Sequence, residues 1–415
     1  MIVRPAVVRG TVVAPPSKSY THRALTVSLL ASGRSRIWNP STGKDVKATL
    51  KALKLFGAQV SGSDPVEVNP PDRPHVPDDV IDCFGSGTTM RFMISVSSLT
   101  PYGYTVLTGN ESLRRRPMSP LLSSLPDLGG EAFSTRMNGL PPIVVKGGGL
   151  EGGTTEMPGH VSSQFFSSLM IAGTRSERGV IVKPVGKLVS RPYLVMTSAV
   201  LSMAGVEVKL GDRIEVPPVR PGSLDFQVPG DLGLVAPLMV AASVTGGRLE
   251  VKVDLSMPQA DNAILEVLKK FGVDVEVGKG RVIVEGRPRS GARVNLRDSP
   301  DLLPPVAVLA AYSRGRSVIT GVRHARFKES DRIAVMAREL RKAGVMVQEL
   351  EDGLIVEGGP VKAASFDAER DHRVFMSLVA LALGAQGNSE ISGEAYVADS
   401  YPNFFEDLRK LVKGA

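Results

Sequence analysis

The chain has 415 residues and a mass of 44.1 kDa, which is more than one ordinary hydrophobic core accommodates, so we expect two or three domains. Its 42% hydrophobic and 22% charged residues are globular values, and no apolar run reaches the ~20 residues that a membrane-spanning helix needs. The formal net charge of +8 favours anionic ligands, but only 5% of residues are aromatic and none interleave with basic runs, which argues against polynucleotide binding.

Cysteine and histidine usage bounds the cofactor chemistry. Cys83 is the only cysteine, which excludes a disulfide framework and a cysteine-based metal site. His324 and His372 are not spaced with other ligands as a metal set, and the chain has no P-loop and no dinucleotide fingerprint. The first residues lack a signal-peptide pattern. We therefore expect a cytoplasmic monomer without metal or cofactor, and without nucleic-acid or membrane partners.

Six stretches share one pattern: a short polar or Gly/Pro-containing opening followed by an apolar helix of about ten residues. In chain order they begin at or near Lys18, Gly87, Ser163, Asp231, Asp301 and His372. The spacing from one marker to the next stays close to 70 residues, which indicates an internal repeat.

A second feature keeps the same period. An amphipathic helix ends at glycine and two short alternating strands follow, as at Gly57, Gly205, Gly272 and Gly344, with a looser copy up to Gly130. The sequence thus predicts six α/β (α+β) units, each strand–helix–strand–helix–strand–strand. A long solenoid and two compact domains of three units both satisfy this pattern, and we favour two domains because the polar helix starts then converge on a cleft.

Several helix starts carry candidate ligands. Two prolines and capping serines place Lys18 and Arg23 in the first turns of a helix, although ordinary capping with surface charge explains this stretch equally well. The Gly85–Thr88 turn is a weak signal alone, and Arg91 lies on nearly the same helix face as Thr88.

Asp301 stands in an apolar stretch between prolines. If it is buried, its pKa should rise, which suits a base that accepts a hydroxyl proton, but a helix N-cap is an equally good interpretation.

The stretch from His324 to Arg332 puts both charge signs at a helix start. Cations are unfavourable at that end of a helix, so Lys328 and Arg332 predict an outside partner such as a bound anion, although a self-neutralising charged run is the ordinary interpretation. Glu329 lies between the two cations, which hold it ionised unless a ligand phosphate takes them up. A carboxyl that changes partner in this way can act as a general acid.

Taken together, these residues resemble the EPSP synthase (3-phosphoshikimate 1-carboxyvinyltransferase) family. The similar stretches follow the family order over essentially the full chain: Ser17–Arg23, Ser86–Arg91, Arg116–Met118, Ser162–Gln164, Ser190–Tyr193, Lys328–Arg332, Asp371–Arg373 and Tyr401–Pro402. The resemblance implies two domains of three units each, 15–228 and 1–14 with 229–415, with the chain crossing between them near residues 14 and 228 and the active site in the interdomain cleft.

The implied reaction transfers the enolpyruvyl group of phosphoenolpyruvate to the 5-hydroxyl of shikimate 3-phosphate. It passes through a tetrahedral addition–elimination intermediate and releases phosphate, as a step of the shikimate pathway of aromatic amino-acid biosynthesis.

The resemblance also implies roles by position. The catalytic residues are Asp301 as base, Glu329 as acid and Lys18 as an assisting cation. Shikimate 3-phosphate is expected at Lys18, Ser19, Arg23, Ser162, Ser163, Gln164, Ser190, Tyr193, Asp301 and Lys328. Phosphoenolpyruvate is expected at Lys18, Gly87, Arg116, Gln164, Arg332 and Arg373. From the residues alone, packing is the better explanation of Tyr193.

Two positions depart from the family pattern. Asp399 stands where the family usually has a lysine that pairs with phosphoenolpyruvate, and a reversed charge near a bound anion costs on the order of 1–4 kcal/mol. This predicts weakened phosphoenolpyruvate binding. Phe92 stands where the family often has proline.

Two other functions are compatible with the repeat. The sister enzyme that transfers enolpyruvyl to UDP-N-acetylglucosamine shares the architecture, but it commonly carries a reactive cysteine in the loop matching Asn110–Pro117, where this chain has none. A non-catalytic protein that binds phosphate or RNA ends on the same scaffold is the remaining alternative.

Overall fold

A computed structural model describes residues 1–412 of the chain. The chain divides into two compact units, which we call the central unit (Pro16–Pro229) and the terminal unit (Met1–Pro15 with the chain from Gly230 onward). Each unit has its own sheets and its own buried helices.

The elements are numbered in chain order. The helices are α1 Lys18–Leu30, α2 Lys44–Leu55, α3 Gly87–Ser97, α4 Ser119–Ser124, α5 Ser163–Gly173, α6 Pro192–Met203, α7 Leu232–Thr245, α8 Ile264–Lys270, α9 Leu303–Tyr312, α10 Arg332–Lys342, α11 His372–Leu383 and α12 Phe404–Val412. The strands are β1 Ile2–Val3, β2 Arg9–Val13, β3 Ser35–Trp38, β4 Gln59–Ser61, β5 Val66–Asn69, β6 Ile81–Asp82, β7 Tyr104–Thr108, β8 Glu131–Ser134, β9 Ile143–Lys146, β10 Gly153–Pro158, β11 Val180–Val185, β12 Lys209–Leu210, β13 Ile214–Val216, β14 Asp225–Gln227, β15 Arg248–Lys252, β16 Asp274–Gly278, β17 Arg281–Glu285, β18 Arg293–Asn295, β19 Gly315–Thr320, β20 Met346–Leu350, β21 Gly353–Gly358, β22 Ser365–Asp367 and β23 Ser389–Ser392.

Six small sheets repeat one topology. The central unit holds the orders β14-β3-β5-β4, β6-β7-β9-β8 and β10-β11-β13-β12, and the terminal unit holds β2-β15-β17-β16, β18-β19-β21-β20 and β22-β23-β1. In every sheet the first two strands named are parallel and the remaining pairs are antiparallel. The predicted α/β repeat is confirmed. The sixth copy departs from it, because its second helix, α12, is not followed by the expected pair of strands among residues 1–412, and β1 supplies the third strand of its sheet.

Two strands, β2 and β14, each pair within one unit but lead along the chain into the first helix of the other unit. β2 leads directly into α1 of the central unit but pairs with β15 of the terminal unit, with Val12 opposite Val251. β14 leads into α7 of the terminal unit but pairs with β3 of the central unit, with Phe226 opposite Ile37. Neither unit therefore contains the strand that immediately precedes its own first helix.

The six repeated helices form the two cores: α1, α3 and α5 pack against one another in the central unit, and α7, α9 and α11 do so in the terminal unit. All fourteen residues of α7 are buried, as expected for a helix that is apolar on every side. α1 is buried although it carries hydroxyl groups, because Thr21, Thr26 and Ser28 each donate to the backbone carbonyl four residues earlier.

The predicted helix ends are also confirmed. Gly57, Gly205, Gly272 and Gly344 follow α2, α6, α8 and α10 and have φ between +76° and +90°, the left-handed conformation that glycine adopts at little cost. The looser copy ends at Gly129, one residue before the predicted Gly130, with φ +82°.

Candidate active site

In the central unit, Lys18 begins α1 and pairs with Asp45 in the first turn of α2. The Nζ–Oδ2 distance is 2.7 Å, and both side chains are largely shielded, at 16% and 13% exposed. An acidic side chain suits the N-terminal turn of a helix, which explains the position of Asp45. Sequence reasoning missed Asp45, which lies 27 residues from its partner with no motif around it.

Below Lys18, a chain of hydrogen bonds links the first three helices of the central unit. His22 Nδ1 lies 2.7 Å from the hydroxyl of Thr49, which lies 2.7 Å from the hydroxyl of Thr89, and Thr89 donates to Ser86 at 2.7 Å. Burial lowers the pKa of His22 to about 3, with Asp45 acting in the opposite direction, so the imidazole is neutral. This chain fixes the start of α3 relative to α1.

Arg23 is a buried cation held by neutral oxygens. Its guanidinium donates to the Thr197 hydroxyl at 2.8 Å and to the carbonyls of Ser19 at 2.8 Å and Tyr193 at 3.2 Å. It also lies over the rings of Phe92 and Tyr193, 5.7 and 5.8 Å from their centroids. Burial lowers the pKa of Arg23 to about 10, so the group stays charged near neutral pH. No carboxylate pairs with it among residues 1–412.

A second cationic cluster lies at the start of α3. A Cβ added to Gly87 would lie 3.1 Å from Nη1 of Arg116 and 3.4 Å from Nη1 of Arg91, so glycine here lets two guanidinium groups approach the backbone. Arg91 donates to Gln164 Oε1 at 2.7 Å, and Gln164 donates to the Thr88 hydroxyl at 3.1 Å. The predicted common face of Thr88 and Arg91 is confirmed by this shared partner.

The remaining candidates of the central unit lie at or just before the starts of α5 and α6. Ser162 caps α5 by accepting from the Gln164 backbone N–H at 3.2 Å. Ser163 is buried in the first turn of α5. Ser190 is buried two residues before α6 with φ +56°, a strained conformation for a residue other than glycine.

In the terminal unit, Arg332 is surrounded by carboxylates. The guanidinium is 2% exposed and donates to Asp371 Oδ2 at 2.8 Å, Asp301 Oδ1 at 2.6 Å and Glu329 Oε2 at 2.8 Å. Asp371 also caps α11 by accepting from the backbone N–H of Arg373 at 2.9 Å. We name Arg332, Asp301, Glu329 and Asp371 the Arg332 cluster.

The Arg332 cluster corrects one prediction. The positions of Lys328 and Arg332 at the start of α10 do not require a bound anion. Carboxylates of the same unit neutralise Arg332, and Lys328 Nζ lies 3.3 Å from Asp301. Sequence spacing missed this, because Asp371 and Asp301 are 39 and 31 residues from Arg332.

The prediction of a raised pKa for Asp301 is wrong. Burial does raise it, as predicted, but Lys328, Arg373 and Arg332 together outweigh burial and hold the pKa of Asp301 well below its ordinary value. Asp301 is therefore ionised in this state of the protein. It also does not cap α9, since it lies in a 3₁₀ turn, Pro300–Leu302, just before that helix.

Arg373 joins the cluster to the start of α7. Its Nη2 lies 3.5 Å from Asp301 Oδ2 and 3.8 Å from Asp261 Oδ2, and its Nη1 donates to the Gly233 carbonyl at 2.7 Å. A Cβ on Gly233 would come within 2.2 Å of Asp261 Oδ2, so this close approach requires glycine. Burial raises the pKa of Asp261 to about 7 against the opposing effect of Arg373, and sequence reasoning missed this residue.

Two further candidates belong to the terminal unit. His324 is buried, and burial together with Lys328 lowers its pKa to about 4, so it is neutral near pH 7. Asp399 ends the 3₁₀ helix Glu394–Asp399 and is half-buried. Among residues 1–412 no group of three or more acidic, histidine or cysteine side chains is arranged to hold a metal ion. No helix in the same range is long and apolar enough to cross a membrane.

Comparisons with known proteins identify the family. The EPSP synthase (3-phosphoshikimate 1-carboxyvinyltransferase) family model matches residues 2–408. A 3-phosphoshikimate 1-carboxyvinyltransferase of Korarchaeum cryptofilum is 55% identical over 412 residues, which cover 99% of this chain and 97% of the relative. One from Methanothermobacter thermautotrophicus is 44% identical over 406 residues, or 97% and 96% of the two chains.

Solved structures agree with the sequence relatives. An EPSP synthase from Acinetobacter baumannii matches with a TM-score of 0.81 and 27% identity, covering 99% of this chain and 98% of that one. The match over nearly the full length of both chains includes both compact units. The chain therefore belongs to the EPSP synthase family.

Proposed function

We propose that the chain transfers the enolpyruvyl group of phosphoenolpyruvate to the 5-hydroxyl of shikimate 3-phosphate and releases phosphate. The observation that carries this proposal is the family match over residues 2–408, joined by a relative of that name at 55% identity. The clusters of buried arginines in both units suit two substrates that are both polyanions.

Shikimate 3-phosphate binding is assigned chiefly to the central unit. Arg23 supports it, because a buried guanidinium with neutral partners lacks the opposite charge that a bound anion supplies. The full proposed set is Lys18, Ser19, Arg23, Ser162, Ser163, Gln164, Ser190, Tyr193, Asp301 and Lys328.

Phosphoenolpyruvate binding is assigned to cations from both units. The guanidinium groups at Gly87 stand beside the free N–H groups of a helix start, which favours an anion. The full proposed set is Lys18, Gly87, Arg116, Gln164, Arg332 and Arg373.

The acid–base steps are assigned to Asp301, Glu329 and Lys18. An Asp301 held at low pKa by three cations is a weak base. If substrate phosphate and carboxylate groups take up Lys328, Arg332 and Arg373, the pKa of Asp301 rises and it becomes able to accept the proton of the 5-hydroxyl. Glu329, released from Arg332 in the same exchange, takes up a proton from solvent and can then donate it to the methylene carbon, with Lys18 assisting at the reacting oxygen.

The test is phosphate release from phosphoenolpyruvate with either shikimate 3-phosphate or UDP-N-acetylglucosamine as acceptor. We expect release with shikimate 3-phosphate alone. Release with the UDP-sugar alone assigns the sister activity, and release with neither, in a folded protein, supports a binding function.

The acid–base roles have their own variants. Asp301→Asn and Glu329→Gln should each lower kcat by ~100-fold or more. Glu351→Gln is the matched control, because its side chain is 74% exposed and pairs only at the surface with Arg323. Wild-type rates in Asp301→Asn or Glu329→Gln contradict the assigned role.

Asp399 tests the phosphoenolpyruvate assignment. If its negative charge weakens binding, Asp399→Lys should lower the KM for phosphoenolpyruvate by about tenfold or more, on the order of 1–4 kcal/mol. An unchanged KM contradicts this explanation. A monomeric, cytoplasmic protein without nucleic-acid or membrane partners remains a prediction from the sequence.

A further inference from the structure

The central unit contains a cavity that none of the residues above lines. Its volume is about 280 Å³. Leu99 and Thr174, just beyond the C-terminal ends of α3 and α5, contribute to its wall. Gly87 and Ser163 begin the same two helices. The cavity is therefore separated from the proposed substrate residues by the length of these helices, about 16 Å for eleven residues.

Three arginines line the cavity: Arg73, Arg175 and Arg220. Arg220 Nη1 lies 2.6 Å from Asp72 Oδ1, and Arg175 Nη2 donates to the Asp72 backbone carbonyl at 2.9 Å. Arg73 makes no hydrogen bond and no ion pair with any described residue.

Helix capping explains only part of this arrangement. Arg220 donates to the Ala31 carbonyl at 3.0 Å, at the end of α1, where a cation offsets the negative end of the helix. Arg73 has no such contact. The acidic side chains nearby are Asp72, which is 84% exposed, and Glu177 on the wall, so three positive charges face two negative ones.

The three cations also repel one another. Burial lowers the pKa of Arg175, and Arg220 and Arg73 lower it further, with Asp72 acting in the opposite direction. An anion in the cavity would relieve this repulsion, since it adds the negative charge that the unit itself lacks.

The rest of the wall combines the polar residues Thr174, Ser176 and Glu177 with an apolar part. Leu99 and Leu150 are 7% and 2% exposed, and Pro74 is buried beside them. Gly148 and Gly149 present open space, because a Cβ built on either would have no heavy atom within 4 Å. An apolar part next to convergent charged groups suits a small molecule that has an apolar body and a charged end.

We propose that this cavity is a second binding site, specific for a small organic anion with a flat apolar body and one carboxylate or phosphate group. The guanidinium groups bind the anionic end, and the leucines and glycines contact the body. The proposal does not rest on the enolpyruvyl transfer, and either can fail without the other.

The experiment titrates the full chain with phenyl phosphate and with benzoate in a calorimeter. Inorganic phosphate lacks the apolar body and phenol lacks the charge, so both should bind at least tenfold more weakly. The better of the two aromatic probes identifies the anionic group.

Variants separate this cavity from other anion sites in the chain. Arg73→Ala should weaken binding of the aromatic probe by about tenfold or more, as for a lost charge-assisted hydrogen bond, and Arg73→Glu should weaken it further. Arg314→Ala is the matched control, because Arg314 is an exposed arginine of the terminal unit without side-chain partners among residues 1–412, and it should bind like the wild type. Neither Arg73 variant should change phosphate release measured without probe.

Three results overturn the proposal: equal affinity in wild type and Arg73→Ala, equal affinity for phenyl phosphate and inorganic phosphate, or no heat of binding from either aromatic probe at millimolar concentration. Because Arg73 is exposed and has no side-chain partner among residues 1–412, its variants should fold, which circular dichroism checks.

Discussion

Replacing Arg332 by glutamine should destabilise the terminal unit strongly, and more so at neutral than at acidic pH. The change removes a guanidinium that is 2% exposed and leaves Asp371, Asp301 and Glu329 without a donor they now meet at 2.6–2.8 Å. Removing one partner of a buried ion pair costs about 3–5 kcal/mol. Lys328 and Arg373 still compensate Asp301, so the loss arises mainly at Asp371 and Glu329.

The pH dependence has a definite sign. Without Arg332, the neighbouring carboxyls have raised pKa values, so the folded variant binds protons that the unfolded chain releases, and its stability rises as the pH falls. In the wild type, Asp301 already has a pKa well below its ordinary value, so its contribution is constant from pH 7 to pH 5. The difference between variant and wild type should therefore shrink over that interval.

The loss of stability is measured by native-state hydrogen exchange of amides in α10 and α11, which reports on the terminal unit alone. A denaturation curve is less suitable, because the chain has two compact units and their unfolding is not separated in one curve. Exchange should accelerate by roughly 10²–10⁴ at pH 7, after correction for the intrinsic rate. The control is Arg341→Gln on the same helix, an exposed arginine that donates only to the Val347 carbonyl, which should change little. A change below tenfold for Arg332→Gln, or an equal change at pH 5, refutes the reasoning.

Three other outcomes are expected. Asp261→Asn should remove a fall in stability as the pH rises from 4 to 7, because the folded-state pKa of about 7 exceeds the ordinary 3.8 and the wild type loses about 1.4 kcal/mol per pH unit there. Parallel pH–stability profiles of variant and wild type, from native-state hydrogen exchange of amides in α7, contradict this. Arg23→Met should abolish phosphate release yet change unfolding free energy by no more than about 1 kcal/mol, since no carboxylate is left unpaired; a loss above about 3 kcal/mol argues against it. Thr49→Val interrupts the link between His22 and Thr89 and should cost about 1–3 kcal/mol in thermal unfolding, whereas an unchanged midpoint shows the link is dispensable.

The fold was largely predictable because each repeat contains local sequence signals for its own helices and strands. Gly57, Gly205, Gly272 and Gly344 are local signals, and each adopts the left-handed conformation expected of a helix end. The exchanged strands were implied only by the family resemblance, which assigns residues 1–14 to the unit of 229–415. No local pattern predicts them, because each strand's partner is distant in sequence, as between Val12 and Val251. The missing hairpin of the last copy follows from the same long-range pairing.

The sequence named the candidate residues, whose roles remain predictions, but it did not give their electrostatics. Lys18, Asp301, Glu329 and Arg332 were all identified from the sequence, but the pKa of Asp301 depends on how many cations share its pocket, which only three-dimensional distances give. Asp261 carries no local signal at all, because its raised pKa arises from burial.

The exchange of β2 and β14 sets an order for assembly on the ribosome. Once Gln227 has emerged, every strand of the central unit has its partner, whereas β1 and β2 must wait for residues 389–392 and 248–252. β1, the first strand synthesised, is thus paired only when the last strand has emerged, and β2 stays unpaired while the whole central unit is synthesised.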